Sequence, residues 1–277
     1  MEKQNDTLVI DLGKFKVNEQ KSVAFISDVH FDNKECDRKA LKRILDKCKE
    51  KKIPIIIGGD FFDAMGAKHD PRSSKKDILP QYCNGTYFDA IVDDAVEFLK
   101  PYNELIQCIM KGNHEISVEQ RQEIDLIKNL VNRLNVNIIV GSYNNWIKYV
   151  CHLGKDHRIK THFHTHGAGG NSPVTRGVIG VNRRAVLYDA DIISSEHLHS
   201  TWEMVNTITY IDQNGNLKTK DQLHFQTSTF KAKDEWAENK GFGKSPICGR
   251  ELVFEYLRNK DDEKDEKKIV NKTALLY

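Results

Sequence analysis

Side chains that could bind a metal ion follow several short apolar runs. Asp60 follows residues 53–57, Asp28 and His30 follow residues 23–26, and Asn113 follows residues 105–110. We expect these side chains to lie close together, because the carboxyl ends of parallel strands meet at one edge of an α/β sheet. A carboxylate that is buried there without a cationic partner costs several kcal/mol or more. The pattern therefore predicts that Asp60 is the shared ligand of a metal centre.

The second half of the chain repeats this arrangement with histidines. His166 follows the predicted strand 159–164, and His197 and His199 follow residues 190–193. An isolated histidine is more often structural, but a place at the end of a strand favours ligation. The candidate ligands are Asp28, His30, Asp60, Asn113, His166, His197 and His199. Oxygen and imidazole donors without cysteine suit Mn²⁺, Fe or Zn²⁺, and seven of them suit two ions that share a carboxylate.

Apolar periodicity predicts the elements that position these residues. A strand, a helix and a strand in succession predict a right-handed βαβ crossover in the first half, and short strands dominate the second half. Asn214-Gly215 is a hairpin signal. The predicted helices cover a segment from Asp37 to just before Ile53, Phe88 to Leu99, and Glu119 to Leu134. The predicted strands cover 7–12, 22–26, 53–57, 105–110, 136–140, 146–150, 159–164, 208–211 and 252–257.

Two stretches interrupt this pattern. Residues 64–86 are polar and lack a clear period, which predicts a long loop over the site or a solvated surface loop. We interpret residues 64–100, this loop and the following helix, as an insertion into a single domain of residues 1–258. Residues 260–268 carry charges of both signs, so residues 259–277 are predicted to be a charged tail.

Composition limits the class of protein. The 277 residues contain 42 Lys+Arg and 40 Asp+Glu, a formal charge of +2, so no global field draws the chain to nucleic acid or membrane. No apolar run approaches the roughly 18 residues of a membrane span. Six cysteines without a C-x-x-C pair indicate a reducing compartment. We therefore expect a cytoplasmic protein without a membrane partner; its oligomeric state stays open.

Five ordered motifs resemble those of the calcineurin-like metallophosphoesterase family. They are Asp28-x-His30, Gly59-Asp60-x-x-Asp63, Gly112-Asn113-His114-Glu115, His166-Gly167 and His197-x-His199. The resemblance implies an α/β (α+β) fold, a four-layer α/β/β/α sandwich. One departure is Glu196, which stands where the family usually has glycine, so that it either alters the turn or reaches into the site.

The resemblance also implies a role for each candidate. Asp28, His30 and His199 would hold one divalent ion, and Asn113, His166 and His197 would hold the other. Asp60 would bridge the two ions, and His114 would be the unligated catalytic residue that faces the leaving group or a phosphoryl oxygen. Two Mn²⁺ ions are expected first, with Fe, Zn²⁺ or Mg²⁺ as alternatives. His162 and His164 share a strand face with His166 and are interpreted as supporting residues.

The implied activity is hydrolysis of a phosphoester by a metal-activated water. Ser/Thr protein phosphatases of the family have an arginine where this chain has Ala64, and Gly59-Asp60-Phe61-Phe62-Asp63 more closely resembles the nuclease branch. We therefore expect a phosphodiesterase that acts on short or single-stranded nucleic acid or on nucleotides. The alternatives are a phosphomonoesterase or protein phosphatase, and a binding module without activity.

Basic residues are the candidates for substrate contacts. They are Arg72 in the long loop, and Arg176, Arg183 and Arg184 after the glycine cluster at 167–170. Arginine forms charge-assisted, often bidentate hydrogen bonds to phosphate. The alternative interpretation is an exposed basic turn, since arginines are mostly exposed.

Overall fold

Two β-sheets packed face to face form the centre of the protein in the computed structural model. It describes residues 2–4, 7–66, 77–83, 86–169, 174–175, 177–232, 239, 241, 243–261 and 264–277. The strands are β1 (Glu2–Gln4), β2 (Thr7–Lys14), β3 (Gln20–Ile26), β4 (Ile55–Ile57), β5 (Ile106–Ile109), β6 (Ile139–Val140), β7 (Asn144–Leu153), β8 (Asp156–Thr165), β9 (Ile192–Ser195), β10 (Trp202–Ile211), β11 (Leu217–Gln226), β12 (Gly249–Asp261) and β13 (Lys264–Leu276). The α-helices are α1 (Arg38–Lys51), α2 (Tyr87–Leu99), α3 (Asn113–Gln122), α4 (Leu126–Leu134) and α5 (Val178–Leu187).

The first sheet has the strand order β13-β12-β3-β4-β5-β6. Its strands β3 to β6 are parallel neighbours, as the predicted βαβ crossover requires. All three residues of β4 are buried, because this short β-branched run is covered on both faces. The carboxyl ends of β3, β4 and β5 consequently meet at one edge of the sheet.

Helices α1 to α4 cover the outer face of the first sheet. Leu41 and Ile44 of α1 pack in one apolar cluster with Ile26 and Ile57 of the sheet. The carboxylate of Asp37 accepts a hydrogen bond from the backbone N–H of Ala40 at 2.9 Å and caps the start of α1. The helix thus begins immediately after Asp37, the residue from which the sequence predicts it.

The second sheet has the order β1-β2-β7-β8-β9-β11-β10 and packs against the inner face of the first. Phe25 and Ile56 of the first sheet share an apolar cluster with Tyr149 and Phe225 of the second. On its outer side, Phe163 stacks on Tyr188, which follows α5. The layers are therefore helices, sheet, sheet and α5, which confirms the predicted α/β/β/α sandwich.

The structure differs from the sequence predictions at several elements. The predicted helix 119–134 is two helices, because Glu123 adopts a left-handed conformation that ends α3 and Asp125 caps α4. Helix α5 and strand β11 were not predicted. Residues 264–276 of the predicted charged tail form strand β13, which pairs with β12 from Gly249 to Asp261. The mixed charges along this strand obscured its pattern.

No described helix combines the length and the apolar character needed to cross a membrane.

Candidate metal centre

Each of the seven predicted ligands lies after the end of a strand. Asp28 and His30 follow β3, Asp60 follows β4, and Asn113 follows β5. The second sheet contributes one ligand after β8 and two after β9. These are His166, His197 and His199. The structure therefore brings both sheets together at a single polar edge, as the sequence predicts for the first sheet.

Backbone strain is concentrated at these residues. Asp28, His30, Asp60, His197 and His199 all have positive φ values, between 46° and 74°. Residues other than glycine seldom adopt this left-handed conformation, and strained residues cluster at functional sites. The surrounding structure holds these side chains in a conformation that they would not choose locally.

Asp28, His30 and His199 form the first cluster of donor atoms, all within 4.8 Å of one another. The Nε2 atoms of His30 and His199 lie 3.1 Å apart, and Nε2 of His199 lies 3.5 Å from Oδ1 of Asp28. The backbone N–H of His197 lies 3.2 Å from each carboxylate oxygen of Asp28. This cluster contains the three residues that the resemblance assigns to one ion.

Asp60, His166 and His197 form the second cluster, again within 4.8 Å. Nε2 of His166 lies 3.1 Å from Oδ2 of Asp60 and 3.1 Å from Oδ1 of Asn113. A Cβ atom at Gly112 would lie 2.2 Å from Oδ1 of Asp60, so that only glycine permits this approach. Asp60 belongs to this cluster but not to the first, and its role as a bridge stays a prediction.

The donor chemistry fits divalent cations. Asp28 and Asp60 are 0% and 2% exposed, and the ion-pair partners found for them in the described part of the chain are histidines. Burial raises the pKa of Asp60, but the positive charge on His166 and His114 outweighs it and holds this pKa well below its ordinary value. Buried carboxylates that stay ionised beside converging imidazoles are a suitable site for metal ions.

His114 lies beside both clusters. Its Nδ1 atom is 2.5 Å from the backbone carbonyl oxygen of Asp63, so that Nδ1 donates and Nε2 lies on the side of Asp60, 3.8 Å from Oδ2. His30, Asp63 and His114 form a third group of donors within 4.8 Å. This geometry agrees with a catalytic role for His114 and also makes it an alternative ligand.

Two buried carboxylates that the sequence reasoning did not assign hold the loops of the site. Glu115 accepts hydrogen bonds from the backbone N–H groups of Asp60, Phe62 and Gly112 at 2.8–3.1 Å. Burial and the nearby charge of Asp60 raise the pKa of Glu115 to about 7.

Asp32 is the second of these carboxylates, and it accepts hydrogen bonds from the backbone N–H groups of Asp63 and Ala64 at 2.7 and 3.0 Å. The signal was present in the motifs, because Glu115 ends one of them and Asp32 continues the alternation of Asp28 and His30.

The structure describes two of the four predicted substrate residues, Arg183 and Arg184. Arg72 and Arg176 lie outside the described residues, and Arg183 is exposed on α5. Arg184 is half-buried on the same helix, and its Nη2 atom is 3.7 Å from the point where a Cβ of Gly167 would lie. Its buried Nη1 atom has no hydrogen-bond partner among the described residues.

Two packed mixed sheets with oxygen and imidazole donors at their edge define the class of α/β proteins that carry a metal site at the strand ends. The chain matches the family model "Calcineurin-like phosphoesterase" over residues 21–247, and it belongs to that family. Its His/Asp clusters accordingly indicate divalent metal binding. A comparison with curated proteins found no match.

Among solved structures, this chain is similar to Vps29 of Chaetomium thermophilum. The identity is 10%, the TM-score is 0.35, and the match covers 93% of this chain and 98% of the other. It is also similar to GAP50, described as the anchor in the inner membrane complex of Plasmodium, with 11% identity, a TM-score of 0.40 and coverage of 91% and 90%.

Proposed function

We propose that this protein is a phosphodiesterase that uses two divalent metal ions and acts on short or single-stranded nucleic acid or on nucleotides. One observation carries the proposal: two groups of donor atoms, Asp28-His30-His199 and Asp60-His166-His197, each with two buried members and one partly exposed, lie at one edge of the paired sheets. A metal ion there would polarise a phosphoryl oxygen and lower the pKa of a bound water, the chemistry that phosphoester hydrolysis requires. Mn²⁺ is the first candidate, and the cytoplasm is the expected location.

Three side chains of the site have separate roles in this proposal. Asp60, the carboxylate of the second donor group, would supply negative charge that balances bound cations. The Nδ1–H group of His114 donates to the backbone carbonyl of Asp63, so its Nε2 atom lies on the side of Asp60. When the imidazole is charged, Nε2–H can protonate the leaving oxygen. Asn113 contributes a neutral oxygen beside His166.

Two observations support an anionic diester as the substrate. Ala64 is buried, so the position where the protein phosphatases of the family have an arginine offers no cation here. Arg184 is a cation beside the ligand loop at Gly167, and burial lowers its pKa, although Tyr143 and Tyr188 oppose this shift. A guanidinium with an unused buried N–H next to the metal centre would bind a phosphate oxygen.

The first experiment measures metal content and hydrolysis together. The protein should bind two Mn²⁺ per chain and hydrolyse bis-p-nitrophenyl phosphate faster than p-nitrophenyl phosphate. Asp60→Asn should abolish turnover and strongly reduce metal occupancy, because it removes the carboxylate of the second donor group. The matched control is Asp93→Asn on the exposed face of α2.

Three outcomes would contradict parts of this proposal. Faster hydrolysis of the monoester would favour a phosphomonoesterase or protein phosphatase. Two bound ions without turnover of either ester, or of short oligonucleotides, would favour the binding module. Full metal occupancy in Asp60→Asn would refute the bridging role.

Substitutions of Arg184 and of its neighbour Arg183 test whether Arg184 contacts the substrate. Arg184→Met should raise KM for a dinucleotide about tenfold or more, the effect of one lost charge-assisted hydrogen bond, whereas Arg183→Met should leave it unchanged. Arg184→Lys should recover part of the affinity, because it restores the charge without the planar donor pair. Equal effects of the two methionine variants would argue against this contact.

A further inference from the structure

Glu196 is the residue at which this chain departs from its family, and the structure places it inside the molecule. It immediately precedes His197, and only 1% of its surface is exposed. Its Oε2 atom accepts a hydrogen bond from the backbone N–H of Gly59 at 2.7 Å and lies 3.0 Å from Nδ1 of His166. Its other oxygen, Oε1, lies 3.1 Å from Nε2 of His164.

These contacts determine how His166 presents its ring. With Nδ1–H donating to Glu196, the opposite nitrogen, Nε2, points to Asp60 and Asn113. A carboxylate behind a ligating histidine sets its tautomer and orientation and makes it a stronger donor. His30 has an equivalent partner in Asp63, whose Oδ1 lies 2.8 Å from Nδ1 of His30.

A buried polar chain supports Glu196 from behind. Nδ1 of His164 lies 2.7 Å from Oγ of Ser194, which lies 2.6 Å from Nε2 of His162, whose Nδ1 lies 3.0 Å from the hydroxyl of Tyr149. If the tyrosine hydroxyl donates to His162, then His162 donates to Ser194 and Ser194 donates to His164, which leaves the proton of His164 on Nε2. That atom lies 3.1 Å from Oε1 of Glu196, and neither of these two atoms has a hydrogen-bond partner among the described residues. These polar side chains lie between the two sheets, and each of them is 0–1% exposed.

The first sheet leaves space for this carboxylate. A Cβ atom at Gly58 would lie 1.6 Å from Oε1 of Glu196, far closer than any real contact. In this position the glutamate at 196 therefore requires a glycine at 58. Gly58 has no left-handed backbone conformation to protect, so its packing against Glu196 is the reason that glycine is needed there.

From these contacts we infer that Glu196 is a positioning residue that prepares His166 for one of the two metal ions. The inference rests on the proposed metal centre but not on the reaction that the centre performs. Where the family usually has glycine, Glu196 supplies a carboxylate that connects the Gly58-Gly59 loop of one sheet to the histidine ligand of the other. The ion at Asp28, His30 and His199 should not depend on Glu196.

Mn²⁺ binding to the purified chain tests this inference, measured by equilibrium dialysis and by electron paramagnetic resonance. Glu196→Ala should retain one ion at wild-type affinity and bind the other about 10 to 100 times more weakly. Glu196→Gln should stay within a few-fold of wild type, because its amide oxygen still accepts from His166 and Gly59. Glu97→Ala, on the outside of α2, is the control.

Gly58→Ala adds a second test with the glutamate intact. The new methyl group should displace Glu196 and weaken the same ion, whereas in Gly58→Ala/Glu196→Ala the space is free and the glycine substitution should add nothing. Such non-additivity identifies a direct coupling. Two ions at wild-type affinity in Glu196→Ala, or equal loss of both ions in every variant, would overturn the inference. Two bound ions in the wild-type protein without hydrolysis would instead contradict the proposed function and leave this inference intact.

Discussion

Nδ1 of His30 lies 2.8 Å from Oδ1 of Asp63, and both side chains are buried. Burial lowers the pKa of His30 to about 4, even though the carboxylate of Asp63 opposes this shift. His30 is therefore neutral near pH 7, and its Nε2 lone pair is available to a metal ion. Nδ2 of Asn33 donates to the other oxygen of Asp63 at 3.0 Å and holds the carboxylate in place.

The first prediction follows from this pair. Asp63→Ala should weaken the ion at Asp28, His30 and His199 by about 10 to 100 times, because His30 loses the partner that orients it. Mn²⁺ dialysis should show the second ion unchanged, which is the opposite pattern to Glu196→Ala. Asp77→Ala, a partly exposed partner of Lys34, is the control. If both ions weaken equally, Asp63 supports the site as a whole or is itself a ligand.

The sequence predicts the ligand edge well because strand ends are local features. A short apolar run followed by Asp or His marks the end of a buried strand, and parallel strands must bring such ends together. The positions of Asp28, Asp60 and Asn113 follow from this rule alone. The pairing of Glu196 with Gly58 could not be foreseen, because it joins residues 138 positions apart in different sheets.

Sequence patterns failed where pairing decides the structure. Strand β13 contains many charged residues, and it is recognisable as a strand only through its partner β12. Helix α5 has no buried residue among its described side chains and exposes Val186 and Leu187, so it lacks the apolar stripe that predicts a helix. Tertiary contacts overrode local patterns in these elements.

The second prediction separates metal binding from chemistry at His114. His114→Asn should keep both ions yet lose roughly 10² to 10⁴ in kcat, the usual contribution of a positioned acid or base. An aryl diester should suffer less than a dinucleotide, because p-nitrophenolate leaves without a proton. His157→Asn on the exposed end of β8 is the control.

Two results would contradict this assignment. Loss of metal in His114→Asn would make His114 a ligand of the kind that its grouping with His30 and Asp63 allows. Equal slowing of aryl and alkyl leaving groups would make it a donor to a phosphoryl oxygen.

The third prediction concerns acid stability at His224, a fully buried residue of β11 that pairs with Ile193 of β9. Its Nε2 atom lies 2.7 Å from Oε1 of Gln222, while its buried Nδ1 atom has no hydrogen-bond partner in the described part of the chain. Burial lowers the pKa of His224 to about 4 from its ordinary value of 6.5. Between these pH values His224 is protonated in the unfolded chain but stays neutral in the folded protein.

Acidification should therefore destabilise the protein through this residue. The contribution is fully present above pH 6.5 and is lost as the pH falls towards 4. Urea unfolding between pH 7 and pH 4.5 should show a smaller loss of stability in His224→Gln than in wild type, with the metal removed by chelation in both. Parallel curves for the two proteins would show that His224 does not titrate in this range.

The last prediction tests whether β13 is part of the core. Leu276 is fully buried in the cluster beneath the helices, whereas its neighbour Leu275 is 38% exposed. Leu276→Ala should cost about 2–5 kcal/mol of unfolding free energy, the usual cost of truncating a buried leucine, and Leu275→Ala should cost much less. Urea denaturation of the two variants measures the difference directly. Equal and small effects would show that the end of the chain is a solvated tail, as its charges first predict.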